Sequence, residues 1–132
     1  MIRKLTLAAI LLLAAAPSIA QAPIRSERVQ FARGASAKAI KAAIKGDQIV
    51  DYMVGVRAGQ TMTVSLKTGN ASNYFNITAP GAEAALFIGS TSGNSHSFRV
   101  PSSGDYAVRV YLMRNAARRN ETAGYTLTIS VK

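Results

Sequence analysis

The fold class follows from one alternating segment, Asp105-Tyr106-Ala107-Val108-Arg109-Val110-Tyr111-Leu112-Met113. Its even-numbered residues are all apolar or aromatic, and an arginine stands among the odd-numbered ones. Because successive side chains of a β-strand point to opposite faces, this pattern predicts a strand buried on one side. The same period of two recurs in Thr61–Lys67 and in Tyr125–Val131. These segments therefore predict two further half-buried strands.

Shorter segments add weaker strand signals between residues typical of turns. They are Arg28–Phe31, Ala39–Ile44, Ile49–Val56, Tyr74–Thr78, Leu86–Ile88 and His96–Val100. The residues from Ala35 to Lys45 also fit a helix, since Ala and Lys favour one, but the alternation and the Gly46-Asp47 turn favour a strand. About eight short strands with frequent turns indicate an all-β protein, either an antiparallel sandwich or a small barrel. We favour a single β-sandwich of the jelly-roll kind.

The N-terminal residues have the pattern of a Sec signal peptide. Arg3 and Lys4 precede a mostly apolar run, Leu5–Ala16, and small residues follow it. A run of about a dozen residues is shorter than the roughly 20 needed to span a bilayer. We therefore predict a signal peptide over residues 1–22, removed after Ala22 or after Ala20, and one domain over residues 23–132. The prediction is a periplasmic protein without a membrane anchor and, as there is no Cys, without a disulfide.

The chain is strongly basic, with 16 Lys and Arg against 6 Asp and Glu and a net charge of +10. Such a charge attracts polyanions. Because export separates the protein from nucleic acid, the expected partners are anionic polymers of the cell envelope or an acidic cleft on another protein. The alternative is that the surplus of Lys and Arg only keeps a small exported domain soluble.

Groups that could carry catalysis are sparse. His96 is the only histidine of the chain, which excludes a multi-histidine zinc site. The segment Gly89–Gly93 superficially resembles a nucleophile elbow, but its central position, where the nucleophilic serine is needed, is Thr91. The acids are scattered, although the fold could still bring two of them together as a glycosidase pair. They are Asp47, Asp51, Glu83, Asp105 and Glu121 in the segment after Arg28. We predict that the chain is not an enzyme and has no cofactor or metal.

Two neighbouring motifs form the strongest local signal. The first is Ser102-Ser103-Gly104-Asp105-Tyr106, and the second is the connection from Arg114 to Gly124, which contains Arg114, Asn115, Arg118 and Asn120. The first motif fits a turn followed by a buried tyrosine with a hydrogen-bonded hydroxyl, and the polar side chains of the second fit internal bonds of a long loop. The other interpretation is that the arginines project outward and pair with carboxylates.

At these residues the sequence resembles the periplasmic inhibitors of goose-type lysozyme, a family of small exported β-sandwich proteins. The similarity covers nearly the whole chain after the signal peptide and is densest in Ser103-Gly104-Asp105-Tyr106 and from Arg109 to Tyr125. There the family patterns Ser-Gly-x-Tyr and Arg-Asn-x-Ala-Arg-x-Asn are both met. The resemblance implies a β-sandwich whose partner is goose-type lysozyme; the oligomeric state is left open.

The resemblance also implies which residues touch the enzyme. Loops carrying Ser103, Arg114 and Arg118 would enter the substrate cleft, with both arginines facing its acidic catalytic groups and Ser103 adding a turn contact. The remaining residues that the resemblance assigns to this contact are Gly104, Tyr106 and Asn115. Asp47 stands where the family has a tyrosine, and an aspartate beside catalytic carboxylates would repel them.

Overall fold

The structure is a computed structural model that describes residues 24–132, so the predicted signal peptide lies outside the described residues. The described chain forms nine strands and two short helices. They are β1 (Ile24–Arg28), β2 (Ala37–Lys45), β3 (Ile49–Val56), β4 (Thr61–Thr68), β5 (Asn73–Thr78), β6 (Phe87–Ile88), α1 (Gly89–Ser92), β7 (Ser95–Arg99), β8 (Gly104–Leu112), α2 (Arg114–Arg118) and β9 (Thr122–Val131). None of the helices in this part of the chain is long and apolar enough to cross a membrane.

The strands form two sheets packed face to face. Sheet A has the order β1-β3-β8-β5-β6, and sheet B has the order β2-β9-β4-β7. With β1 set aside, the strand orders β3-β8-β5-β6 and β2-β9-β4-β7 are those of the two four-stranded sheets of a double-sheet jelly roll. The all-β sandwich and its jelly-roll topology are therefore confirmed.

The core lies between the sheets because each long strand turns its apolar alternate residues inward. On β8 the inner residues Tyr106, Val108 and Val110 are fully buried. One buried polar contact also joins the sheets: the hydroxyls of Tyr52 on β3 and Tyr125 on β9 lie 2.6 Å apart. Burial raises the pKa of both hydroxyls, so they remain protonated and share a hydrogen bond across the core.

The structure differs from the sequence predictions in three places. The first strand is Ile24–Arg28 rather than Arg28–Phe31, and it pairs parallel to β3, so the sandwich is not purely antiparallel. The fully exposed β1 has no buried alternate face, and the alternation signal is therefore missing. The segment around Thr91 forms the helical turn α1, and the predicted long loop from Arg114 to Gly124 contains α2. The residues around Ile40 form a strand, as favoured over the helix.

Candidate functional site

The strand β8 separates the two motifs that the sequence analysis placed in one site. Ser103 directly precedes this strand, and Arg114 begins α2 just after it. Nine residues of extended chain span about 27 Å at about 3.4 Å per residue. The structure therefore places Ser103, Gly104 and the start of β8 at one end of the sandwich. It places α2 at the other end.

The helix α2 is a single turn closed by a complete C-terminal cap. Asn120 adopts a left-handed conformation, with φ of 57°. The backbone N–H of Asn120 donates to the carbonyl of Ala117, and that of Glu121 donates to the carbonyl of Ala116. These two bonds and the left-handed residue form a Schellman motif, which satisfies carbonyls that a helix end otherwise leaves unpaired. The cap explains why so short a helix is stable here.

Contacts on three sides hold α2 against the sandwich. Ala116 is completely buried beneath the helix. The N–H of Met113 donates to the carbonyl of Ser72 at 2.9 Å, and the N–H of Gly46 donates to the carbonyl of Glu121 at 2.9 Å. The helix is thus fixed to the β4–β5 turn and to the β2–β3 turn.

Gly46 is required at this junction for two reasons. Its φ of 59° lies in the left-handed region that favours glycine. In addition, a Cβ atom built at this position would lie 2.5 Å from the side-chain oxygen of Asn120. A side chain at residue 46 would therefore strain the backbone and displace the side chain of Asn120 at the cap of α2.

Arg114 and Arg118 occupy one face of α2 and are both exposed. Residues four apart on a helix have Cβ atoms about 5–6 Å apart, so the two side chains leave the helix next to each other. Within residues 24–132 neither arginine forms an ion pair. Two exposed cations on one face have the chemistry to bind carboxylates, which match the planar fork of a guanidinium.

The third arginine of this segment has an internal role. The Nε of Arg119 donates to Glu121 at 2.7 Å, and the side-chain amide of Asn70 donates to the same carboxylate at 3.1 Å. These hydrogen bonds, that from Arg119 first, lower the pKa of Glu121. Arg119 and Asn70 therefore stabilise the end of α2 rather than presenting charge to a partner.

Asn115 and Asp47 lie at the same end as the arginine pair. Asn115 is exposed on the first turn of α2. Asp47 is exposed in the β2–β3 turn, next to Gly46, whose N–H donates to the carbonyl of Glu121. The structure thus brings together four of the predicted site residues, namely Asp47, Arg114, Asn115 and Arg118.

At the opposite end, the polar groups of the first motif bond within the protein. The hydroxyl of Ser103 accepts a hydrogen bond from the N–H of Ala58 at 2.9 Å. The buried Tyr106 donates its hydroxyl to the carbonyl of Ser102 at 2.9 Å. These bonds match the structural interpretation of the Ser-Gly-x-Tyr motif, which ties the start of β8 to the preceding turn.

Gly104 completes this motif. Its φ is 143°, and a Cβ atom at this position would lie 2.8 Å from Cγ of Pro80. Glycine is therefore the residue that allows the turn to pack against Pro80 while its backbone adopts this conformation.

The acidic residues do not form a catalytic pair in the described structure. Asp51 binds Arg109 through two hydrogen bonds of 2.7 and 2.9 Å, and Asp105 binds Arg28 in the same way at 2.7 and 3.1 Å. Sequence reasoning missed both pairs, because they join strands whose register only the fold defines. No group of three or more potential metal ligands occurs in residues 24–132.

Comparisons with known proteins agree with this structure. No family model matches the chain. A protein of Escherichia coli (strain K12), named inhibitor of g-type lysozyme, is 32% identical over 127 residues, which cover 94% of each chain. The crystal structure of Aeromonas hydrophila PliG, a periplasmic inhibitor of g-type lysozyme, has a TM-score of 0.74 and 37% identity, covering 83% of this chain and 97% of that one.

A second solved inhibitor, PliG of Salmonella Typhimurium, has a TM-score of 0.67 and 25% identity, covering 82% of this chain and 98% of that one. The two-sheet sandwich is the fold of these solved inhibitors. With relatives of this similarity and coverage, the chain belongs to the family of inhibitors of g-type lysozyme. This membership confirms the predictions of a periplasmic location and of a protein that is not an enzyme.

Proposed function

We propose that this protein inhibits goose-type lysozyme and thereby protects peptidoglycan, with α2 as the element that enters the substrate cleft. The family relationship supports the choice of partner. The observation that carries the mechanism is the exposed pair Arg114 and Arg118 on a helix anchored on three sides.

The repulsion between the two arginines destabilises the free protein, and binding of an anion would remove it. Like charges four residues apart on a helix destabilise it by about 0.2–0.5 kcal/mol. The free protein carries this cost, since neither side chain has an ionic partner in residues 24–132. Carboxylates in a lysozyme cleft would neutralise both charges and form bidentate hydrogen bonds with them.

The anchoring of α2 favours tight binding. A site that is rigid before binding loses little conformational entropy in the complex. The buried Ala116 and the Schellman cap hold the arginine-bearing turn in one conformation. Asn115 lies beside the arginines and is positioned to donate or accept a hydrogen bond at the rim of the cleft.

Asp47 is an unfavourable member of this surface. It is exposed in the turn that packs on the cap of α2, so it would approach the same acidic cleft as the arginines. We therefore propose that Asp47 weakens inhibition. We do not include Ser103, Gly104 or Tyr106 in the contact, because they lie at the other end of β8 and Ser103 and Tyr106 use their hydroxyls internally.

The test is the lysis of peptidoglycan by goose-type and hen-type lysozymes, titrated with the wild type and with Arg114→Ala and Arg118→Ala. A hydrogen bond to a charged group contributes about 1.5–3 kcal/mol, so each substitution should raise the half-inhibitory concentration for the goose-type enzyme by about ten- to a hundredfold. The control is Arg57→Ala, which removes an exposed arginine from the Ser103 end.

The outcomes separate the partner from the mechanism. If the wild type inhibits and all three variants inhibit equally, the protein is an inhibitor but α2 is not the inserted element. If the wild type at micromolar excess leaves goose-type lysozyme fully active, the proposed function itself is wrong.

A further inference from the structure

The two sheets differ sharply in charge. In sheet A the three basic residues pair with the three acidic ones, as Arg25 with Glu27, Arg28 with Asp105 and Arg109 with Asp51. The strands of sheet B contain five basic residues and no acidic one. These basic residues are Lys38, Lys41, Lys45, Lys67 and Arg99. Among the strands, the positive surplus therefore lies on sheet B.

A hollow of about 450 Å³ lies on the outer face of this sheet. Lys41 on β2 and Lys67 on β4 both stand opposite Thr126 on the central strand β9. Gly124 lies two residues away on the same face and leaves the floor of the hollow open, with nothing within 4 Å of the Cβ position. The hydroxyl of Thr68 donates to the carbonyl of Gly124 at 3.0 Å and fixes this floor.

The dimensions of the hollow suit one sugar unit with an anionic substituent. Neighbouring strands are about 4.8 Å apart, so the Cα atoms of Lys41 and Lys67 are about 10 Å apart, and both flexible side chains reach a group above Thr126. Small-molecule pockets have about 300–1,000 Å³, and a hollow of this size falls in that range. Lysine binds phosphate as a point charge, and a phosphate monoester, with a charge of about −1.5 to −2 at pH 7, matches two ammonium groups better than a singly charged carboxylate does.

We infer that the hollow between Lys41 and Lys67 binds a phosphate-bearing sugar unit of a cell-envelope polysaccharide. In this arrangement the two ammonium groups bind the phosphate, the Thr126 hydroxyl donates to it, and the sugar ring occupies the space above Gly124. The site lies on a sheet face and uses none of the residues proposed for the lysozyme contact. Its existence does not depend on inhibition of lysozyme.

Gly124 provides the sharpest test. Its φ is not in the left-handed region and its side-chain position is open, so Gly124→Gln fills the hollow without disturbing the strand. Lys41→Ala/Lys67→Ala removes the two cations of the site. The charge-matched control, Lys38→Ala/Arg57→Ala, removes two exposed cations away from the hollow. Lys38 lies three residues from Lys41 on β2 and therefore on the other face of the strand, and Arg57 follows the end of β3.

The measurement is a titration with glucose 6-phosphate, followed by the backbone amide resonances of Gly124 and Thr126, with glucose and inorganic phosphate as comparison ligands. We expect saturable shifts with glucose 6-phosphate, weaker binding of inorganic phosphate and no binding of glucose. Gly124→Gln and Lys41→Ala/Lys67→Ala should each weaken the binding of glucose 6-phosphate at least tenfold, and the control should weaken it less than threefold.

Three results would overturn the inference. The first is the absence of saturable shifts at these amides. The second is an equal loss in both double variants, which would show that only the net charge attracts the anion. The third is unchanged binding in Gly124→Gln, which would show that the sugar does not occupy the hollow.

Discussion

The two ends of the sandwich use their polar side chains in opposite ways. At the end carrying Ser103, the hydroxyls of Ser103 and Tyr106 are bonded to the protein backbone. At the α2 end, Arg114 and Arg118 are exposed and lack an ion pair within residues 24–132. The internal hydrogen bonds therefore separate the two motifs: that of Ser103 and Tyr106 stabilises the fold, and the arginines of α2 are left exposed for the proposed contact. The first three of the following predictions test this difference, and the fourth concerns both ends.

The largest expected effect comes from the two glycines that shape the ends. Gly46→Ala and Gly104→Ala both force a side chain into a left-handed backbone and against a neighbour, so each should lower the free energy of unfolding by about 2–3 kcal/mol. Gly46→Ala should also displace α2 and weaken inhibition per folded molecule, whereas Gly104→Ala should not. Denaturant unfolding and lysozyme inhibition by folded protein measure the two effects, and equal inhibition by both variants would contradict the assignment of the ends.

Asp47→Asn should strengthen inhibition. The substitution removes a negative charge from the surface proposed to face acidic groups, and one repulsion near a protein surface is on the order of 1 kcal/mol, or about fivefold in affinity. The half-inhibitory concentration for goose-type lysozyme measures it, ideally at low salt. Glu83→Gln, the same kind of change at an exposed acid outside α2 and its neighbouring turns, is the control. A weaker inhibitor after Asp47→Asn would show that Asp47 makes a favourable contact.

Tyr106→Phe should affect stability alone. It removes the hydrogen bond to the carbonyl of Ser102, which at the edge of the core contributes about 1 kcal/mol. Thermal unfolding should show this loss while the inhibition titration stays unchanged. A fall in inhibition without a fall in stability would place Tyr106 in the contact with lysozyme after all.

The smallest expected effect is a dependence of stability on acid pH that involves both ends. Hydrogen bonds lower the pKa of Glu121 at the α2 end, chiefly from Arg119, and the pKa of Asp105 at the other end, from Arg28. Because each folded pKa lies below the unfolded one, the stabilisation is complete above the unfolded pKa and is lost as the pH falls through the folded value.

Melting temperatures between pH 7 and pH 2.5 test this dependence. Glu121→Gln and Asp105→Asn should each be slightly less stable than the wild type at pH 7 and should converge with it in acid, since exposed ion pairs contribute little. Curves that remain parallel down to the lowest pH would show that these pairs do not cause the acid sensitivity.

The strands could be predicted from the sequence because their period of two is local. The range Ile49–Val56 is a strand with the predicted bounds. The helix α2 could not be predicted in this way, because its stability depends on the left-handed Asn120 and on contacts with Gly46 and Ser72 that only the fold brings close. The parallel strand β1 was missed for another reason: all its residues are exposed, so no alternation of apolar and polar residues marks it.

The candidate site was predictable in part. The exposed arginines of α2 and the buried Tyr106 were foreseen from their motifs. The expectation that Ser103 and Arg114 share one site is not supported by the predicted strand between them. An extended strand holds its two ends far apart. The closeness of Asp47 to α2 depends on the pairing of β2 with β9, a register that periodicity alone does not define.

The most direct test of the account is amide hydrogen exchange of the protein, free and bound to goose-type lysozyme. The account predicts slower exchange on binding in residues 45–48 and 113–121, which form the α2 end, and unchanged exchange in residues 57–60 and 101–104 at the other end. Protection of residues 101–104 without protection of residues 113–121 would contradict it and would make the Ser103 end the inhibitory surface.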